Sequence, residues 1–155
     1  NEVNPKNLIT VTPKQYRDYF KFSIVRDPWS RVFSWYSNVM RDEKKRLRLP
    51  RNIDFDTFVG RYAGRTRMLA PIPYYLKDFS GKIRLDKVVR FDNLRSGMDE
   101  ISRELSISSL SKLPHLLKSA EHDRVSAFSD FSIAIISERY REEIDFFGFK
   151  PPRRL

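Results

Sequence analysis

Residues 20–34 constrain the fold of this chain more than any other segment. Residues 20–25 are short, aromatic and β-branched, which is the pattern of a largely buried strand. Arg26 follows at once, and Asp27 and Pro28 then supply an N-cap residue and a first-turn proline, which together open a helix. The segment therefore predicts a strand that runs directly into a helix, with an arginine at the junction.

The predicted helix has two distinct faces when its residues are spaced at 100°. The face expected to meet the core carries large apolar side chains, namely Trp29, Val32, Phe33, Tyr36, Val39 and Met40. A second, polar face carries Ser30, Ser34, Ser37 and Arg41. The strongly charged stretch at residues 41–51, with its basic run at residues 44–46, is expected to leave the core as a solvated loop.

Weaker signals place the elements that follow or precede this unit. A helical turn is expected at residues 16–19, and a short helix at residues 54–62, capped by Asp54 or Asp56. Residues 71–73 contain two prolines and are expected to break the chain.

A second strand is expected at residues 87–91, and Asp92 is expected to cap a helix that runs to about residue 105. Residues 106–123 are Ser-rich and irregular. Ser129 or Asp130 opens a last amphipathic helix that runs to about residue 147 and ends at Gly148. Strands that alternate with helices predict an α/β fold with a mostly parallel sheet and flanking helices, in a single domain over residues 1–155.

The charge of the chain points to an anionic partner. Lys and Arg total 30 against 20 Asp and Glu, a formal net charge of +10, which fits a nucleotide, a nucleic acid, an acidic glycan or an anionic membrane. Cysteine is absent, and His115 and His122 stand without a carboxylate motif, so no metal is expected. No run of about 18 apolar residues exists that would span a bilayer.

Arg26 and Ser34 are the candidate binding residues. Ligands in open α/β sheets bind at the carboxyl ends of the strands, where Arg26 is predicted to lie. The amino terminus of the following helix offers unpaired N–H groups and partial positive charge. A guanidinium can hold two phosphate oxygens, and Ser34 lies two turns into the helix on its polar face. The sequence therefore predicts a phosphate site at this junction.

This segment resembles the 3′-phosphate-binding segment of sulfotransferases that use 3′-phosphoadenosine 5′-phosphosulfate (PAPS). The likeness lies in an arginine at the end of a strand, Asp-Pro, a serine eight residues after the arginine, and a tyrosine two residues beyond. The resemblance assigns the 3′-phosphate of PAPS to Arg26 and Ser34. The variant here, with Trp29, Arg31 and the Trp-Tyr pair at residues 35–36, looks closest to the branch that includes carbohydrate sulfotransferases.

Three further segments resemble the family in order and spacing: residues 55–59, residues 88–94 and residues 140–149. The likeness covers about residues 16–149. It implies a P-loop-like sulfotransferase fold and an enzyme that transfers a sulfuryl group from PAPS to a hydroxyl, with a carbohydrate as the acceptor. A bacterial cytoplasm is favoured over a Golgi lumen as its location.

The family's 5′-phosphosulfate loop and its catalytic base belong upstream of the 3′-phosphate segment, where this chain has no room for them. The chain is therefore expected to be an incomplete domain, with its amino-terminal part missing, and no catalytic residue is assigned. Arg124 is an alternative phosphate ligand or a solvated loop residue. Trp29, Trp35 and Tyr36 are candidates for stacking on adenine, but Trp29 and Tyr36 are expected in the core.

Two other functions stay open at this point. A sulfotransferase-like domain could bind the nucleotide without turnover. A basic nucleic-acid-binding module fits the charge and the aromatic content, but the basic residues are dispersed and no recognition motif accompanies them, so no nucleic-acid partner is expected. Residues 60–66 superficially resemble a P-loop, but their spacing is one residue short and no strand precedes them, which argues against that assignment.

Overall fold

The computed structural model of the protein describes residues 12–42, 45, 48–50, 52–78, 80–108 and 127–152. The described helices and strands follow one another in the order α1 (Pro13–Asp18), β1 (Phe22–Val25), α2 (Pro28–Arg41), α3 (Phe55–Tyr62), α4 (Ile72–Leu76), β2 (Lys87–Arg90), α5 (Leu94–Glu104), α6 (Asp130–Arg139) and α7 (Arg141–Phe147). Single 3₁₀ turns lie at Arg67–Leu69 and Phe91–Asn93. The chain is thus a mixed α/β protein, as the sequence predicts.

The two strands pair in parallel, with Phe22 opposite Lys87 and Val25 opposite Arg90. Residues in register share a face of the sheet and successive residues alternate, so Val25 and Val89 lie on opposite faces. Val25 belongs to a large apolar cluster, and Val89 belongs to a smaller one with α5. Helices therefore cover both faces, the arrangement typical of parallel sheets.

The large cluster is built around the apolar stripe of α2. Trp29, Val32 and Phe33 are buried in this cluster, and the half-buried Tyr36 and Met40 pack against it. Val39 is also buried but is not a member of the cluster. Opposite them lie α3 and α6 with the preceding turn, and the rings interlock at centroid separations of 5–6 Å, which aromatic pairs prefer. The predicted core-facing stripe is confirmed.

The burial predicted for the first strand is wrong. The strand begins at Phe22, two residues later than predicted. On the face opposite Val25, the side chains of Phe22 and Ile24 are 40% and 44% exposed. Within the described residues the sheet has two strands, and the buried cluster formed with α5 includes Val89 of β2 but neither of these side chains. Apolar composition signals a strand but does not supply the element that covers it.

Two helix starts differ from the prediction. α1 begins at Pro13, before the predicted turn at residues 16–19, because Thr12 and Gln15 form a reciprocal capping box. Asp92 does not cap the helix after β2: it lies in a 3₁₀ turn, and α5 begins after Asn93 without a side-chain cap.

The break expected at residues 71–73 coincides with the start of a helix. α4 begins at Ile72 and includes Pro73, a proline tolerated because the first-turn N–H groups lack partners within the helix.

The predicted last helix is divided at Tyr140, whose hydroxyl donates to Leu69 O at 2.6 Å and accepts from Gly64 N–H at 2.7 Å. These distant contacts hold Tyr140 out of helical geometry. Three predicted boundaries are confirmed, with Asp54 and Ser129 as N-caps and Gly148 in the left-handed conformation at φ 65°.

Candidate anion-binding site

A cleft of about 260 Å³ opens where β1 ends and along the polar face of α2. Its lining consists of Arg26, Arg31, Ser34, Trp35, Ser37, Asn38 and Arg41. Three of these side chains are guanidinium cations, and no carboxylate from the described part of the chain lines the cleft. The remaining groups are hydroxyls, an amide and an indole, so the donor set suits an oxyanion next to an aromatic ring.

Arg26 and Ser34, the two residues predicted from the sequence, line this one cleft. Arg26 follows the last residue of β1, and its guanidinium carbon lies 4.7 Å from the centre of the Phe91 ring. Phe91 follows β2 directly, so the carboxyl ends of both strands contribute to the position of this arginine. Stacking of this kind restrains a guanidinium while leaving its edge able to hydrogen-bond.

The amino terminus of α2 offers fewer backbone donors than predicted. The carboxylate of Asp27 accepts from Ser30 N–H at 2.7 Å, Asp27 O accepts from Arg31 N–H at 3.0 Å, and Pro28 has no N–H. In this first turn, Trp29 N–H alone has no acceptor among the residues that the structure describes. Anion binding here therefore depends on side chains more than on the helix terminus, because the N-cap carboxylate already occupies it.

The aromatic residues of the segment divide between core and cleft. Trp29 is buried and its Nε1–H donates to Ile133 O at 3.4 Å, while Tyr36 packs in the large cluster and its hydroxyl donates to Ile53 O at 3.1 Å. Both are core residues, as expected. Trp35 is the aromatic residue of the lining, with Lys45 Nζ 5.9 Å from its ring centre.

The buried carboxylate of Glu143 holds the guanidinium of Arg31 in place. Its Nη2 donates to the two oxygens of Glu143 at 2.9 and 2.7 Å, and its Nη1 donates to Ala70 O at 3.0 Å. Glu143 is fully buried and also accepts from Ile72 N–H at 2.8 Å, and the Tyr140 ring lies 5.0 Å from the guanidinium carbon. This ion pair ties the wall of the cleft to the turn before α4 and to α7.

The surroundings of this pair shift two pKa values. Burial raises the pKa of Glu143, while the charge of Arg31 and the Ile72 N–H bond oppose that rise. Burial also raises the pKa of Tyr140 to about 12. Burying the Glu143 carboxylate without a partner would be costly, and the guanidinium of Arg31 reduces that cost because it favours the ionised form.

The Arg31–Glu143 pair was missed by the sequence analysis. Glu143 lies three residues after Tyr140 and four before Phe147, on the side of α7 that meets the core. A carboxylate at this helical spacing among aromatic residues needs a cation as a partner, but the spacing does not identify Arg31 as that cation.

Residues 60–66 are not a phosphate loop. They span the end of α3 and the turn after it, where Arg139 donates to the carbonyls of Val59, Gly60 and Ala63 at 2.7–2.9 Å. A helix carboxyl terminus carries partial negative charge, so it attracts this guanidinium and would repel phosphate.

Arg124, His115 and His122 lie outside the described residues, as do most of the basic residues at 44–51. Of the groups that the structure does describe, no three acidic or histidine side chains cluster to hold a metal ion. None of the described helices has the length and apolar character needed to cross a membrane.

Comparison with known proteins gave one result at the level of families. No curated protein and no solved structure matched the chain. The sulfotransferase family matched it over residues 2–150.

Proposed function

Because the chain belongs to the sulfotransferase family, we propose that it is a PAPS-dependent enzyme and that its arginine-lined cleft binds the 3′-phosphate of the nucleotide. Sulfuryl transfer is the activity of the family as a whole. PAPS as the donor, a carbohydrate hydroxyl as the acceptor and Arg26 and Ser34 as ligands are the specific parts of the proposal.

The observation that carries the proposal is that Arg26 and Ser34 line the same cleft. A guanidinium can donate two parallel N–H bonds to phosphate, and a hydroxyl can donate a third. Trp35 in the same lining supplies an aromatic face on which an adenine could stack. The lining thus fits a phosphorylated nucleoside in both its charged and its aromatic parts.

PAPS supplies the activated sulfuryl group, and the protein must stabilise negative charge on the leaving phosphate and accept the proton of the acceptor hydroxyl. The role of the cleft in this chemistry is binding and orientation. A phosphate held on Arg26 fixes one end of the nucleotide, and an orientation that is set in advance lowers the entropic part of the barrier.

Titration calorimetry of the purified protein with adenosine 3′,5′-bisphosphate and adenosine 5′-monophosphate tests the proposal. We expect the bisphosphate to bind more tightly, because only it presents a 3′-phosphate. Arg26→Ala should remove most of this preference, since a hydrogen bond to a charged group contributes about 1.5–3 kcal/mol, about a 10- to 100-fold change in affinity. Arg26→Lys should restore only part, because an ammonium lacks the two-pronged geometry.

The matched control is Arg90→Ala. Arg90 ends the neighbouring strand, and its guanidinium carbon lies 4.8 Å from the ring centre of Phe149, yet it does not line the cleft. Loss of an arginine stacked in the same manner should leave the nucleotide preference unchanged. Equal binding of both nucleotides by the wild type, or an equal loss in the Arg90 variant, would refute the assignment.

Assays with labelled PAPS over a panel of carbohydrate and phenolic acceptors separate an enzyme from a domain that only binds nucleotide. Label transferred to a carbohydrate supports the full proposal. Label transferred to phenols alone would overturn the carbohydrate acceptor, and tight nucleotide binding without any transfer would favour the binding domain.

A further inference from the structure

We infer that Arg31 is a third anion-binding residue of the cleft and that Glu143 positions it there. This inference rests on the proposed function and adds a residue that neither the sequence pattern nor the family match assigns to binding. It starts from the arrangement of the ion pair, in which the cation lines the cleft and the carboxylate does not.

The two charges lie at different depths. The side chain of Arg31 retains 19% exposure, whereas Glu143 is fully buried. The pair is therefore a dipole whose positive end forms part of the cleft wall. An anion in the cleft lies nearer to the guanidinium than to the carboxylate, so the attraction exceeds the repulsion although the pair has no net charge.

The hydrogen bonding of Arg31 is also incomplete. Its Nη atoms bond to Glu143 and Ala70, but its buried Nε has no acceptor among the described residues. A buried donor without an acceptor is costly. Among the described residues the charge of Arg31 is therefore not fully compensated by hydrogen bonds, and an anion in the cleft would interact favourably with it.

Replacing both partners separates this role from a structural one. A buried ion pair replaced by apolar residues of similar volume often leaves stability unchanged, whereas removal of one partner leaves an unpaired charge. We therefore expect the double variant Arg31→Met/Glu143→Leu to fold, as checked by circular dichroism and thermal unfolding. In calorimetry its preference for adenosine 3′,5′-bisphosphate over adenosine 5′-monophosphate should fall about tenfold, a loss comparable to that of one charge-assisted contact.

The matched control is Lys77→Met/Glu142→Leu. This pair likewise involves a carboxylate of α7, which it joins to the end of α4 with Nζ 2.5 Å from the carboxylate, but it is exposed and does not line the cleft. The control removes the same charges and should keep the wild-type preference. A folded Arg31/Glu143 double variant with the wild-type preference would show that the pair is only structural and would overturn the inference.

Arg31→Lys carries the same test if the double variant does not fold, because it leaves a cation opposite Glu143. Its preference should fall about threefold, since an ammonium keeps the charge but loses the fork, and an unchanged preference would again overturn the inference. Failure of the proposed function looks different: in that case the wild type itself binds the two nucleotides equally.

Discussion

Gly97 lies on α5 directly against Val89 of β2, and its replacement by alanine should destabilise the protein. A Cβ at this position would lie 2.4 Å from Val89 Cγ1 and 3.0 Å from Val89 Cγ2. Val89 is itself buried, so it has little space into which to move. Overpacking of this kind costs about 1–3 kcal/mol, while alanine gains up to about 1 kcal/mol in helix propensity. We therefore expect a net loss of about 1 kcal/mol.

Gly60 provides the matched control, because it is the other helical glycine of the described residues. A Cβ there would lie 3.7 Å from Phe131 Cζ, which is ordinary van der Waals contact. Gly60→Ala should therefore raise the free energy of unfolding by about 0.5–1 kcal/mol. Urea unfolding followed by circular dichroism measures both variants, and their changes in stability should have opposite signs.

A third variant identifies the cause. Val89→Ala removes the two methyl groups at 2.4 and 3.0 Å and leaves only the Cβ of residue 89, 3.2 Å from the new Cβ, so Gly97→Ala should destabilise the protein much less in that background. The reasoning is refuted if Gly97→Ala stabilises the wild type as much as Gly60→Ala does. It is also refuted if the destabilisation persists unchanged when Val89 is alanine.

Two further predictions concern the residues around the buried ion pair. Arg139→Met removes the donors to three carbonyls at the end of α3 and should lower the free energy of unfolding by about 2–3 kcal/mol. The control is Arg141→Met, which replaces an exposed arginine nearby and should change the free energy of unfolding by less than about 0.5 kcal/mol. Urea unfolding measures both variants. The pKa of Tyr140 is raised to about 12 from 10.0, so the folded state holds the phenolic proton more tightly than the unfolded state does. The contribution of this proton to stability is therefore present below pH 10 and is lost as the pH rises toward 12. Urea titrations should show that between pH 9 and pH 11 the wild type loses about 1 kcal/mol more than Tyr140→Phe does, and an equal loss in the two proteins would contradict this reading.

Features set by neighbours in the sequence were predictable. The cap at Asp27, the apolar stripe of α2 and the left-handed turn at Gly148 each depend on a few consecutive residues. The placement of Arg26 and Ser34 in one cleft belongs to the same class, because a strand that enters a helix directly leaves little freedom between residues eight positions apart.

Features set by distant partners were not predictable. Phe22 and Ile24 read as buried, but their exposure depends on which elements cover the sheet. The last helix divides at Tyr140 because of acceptors and donors more than 70 residues earlier in the chain. Arg31 and Glu143 are separated by 112 positions, and no local pattern joins them.

The division of the buried apolar residues into two clusters has a consequence for how parts of the protein unfold locally. The smaller cluster has three buried residues, Val89, Met98 and Ile101, and backbone pairing between β1 and β2 joins it to the rest of the described fold. Units with few buried contacts open at lower free energy than the whole molecule. Phe91, whose ring stacks against the guanidinium of Arg26, lies between β2 and α5 in this unit. An anion held by Arg26 would therefore connect the cleft to the unit formed by β2 and α5, so that filling the cleft should also make this unit harder to unfold.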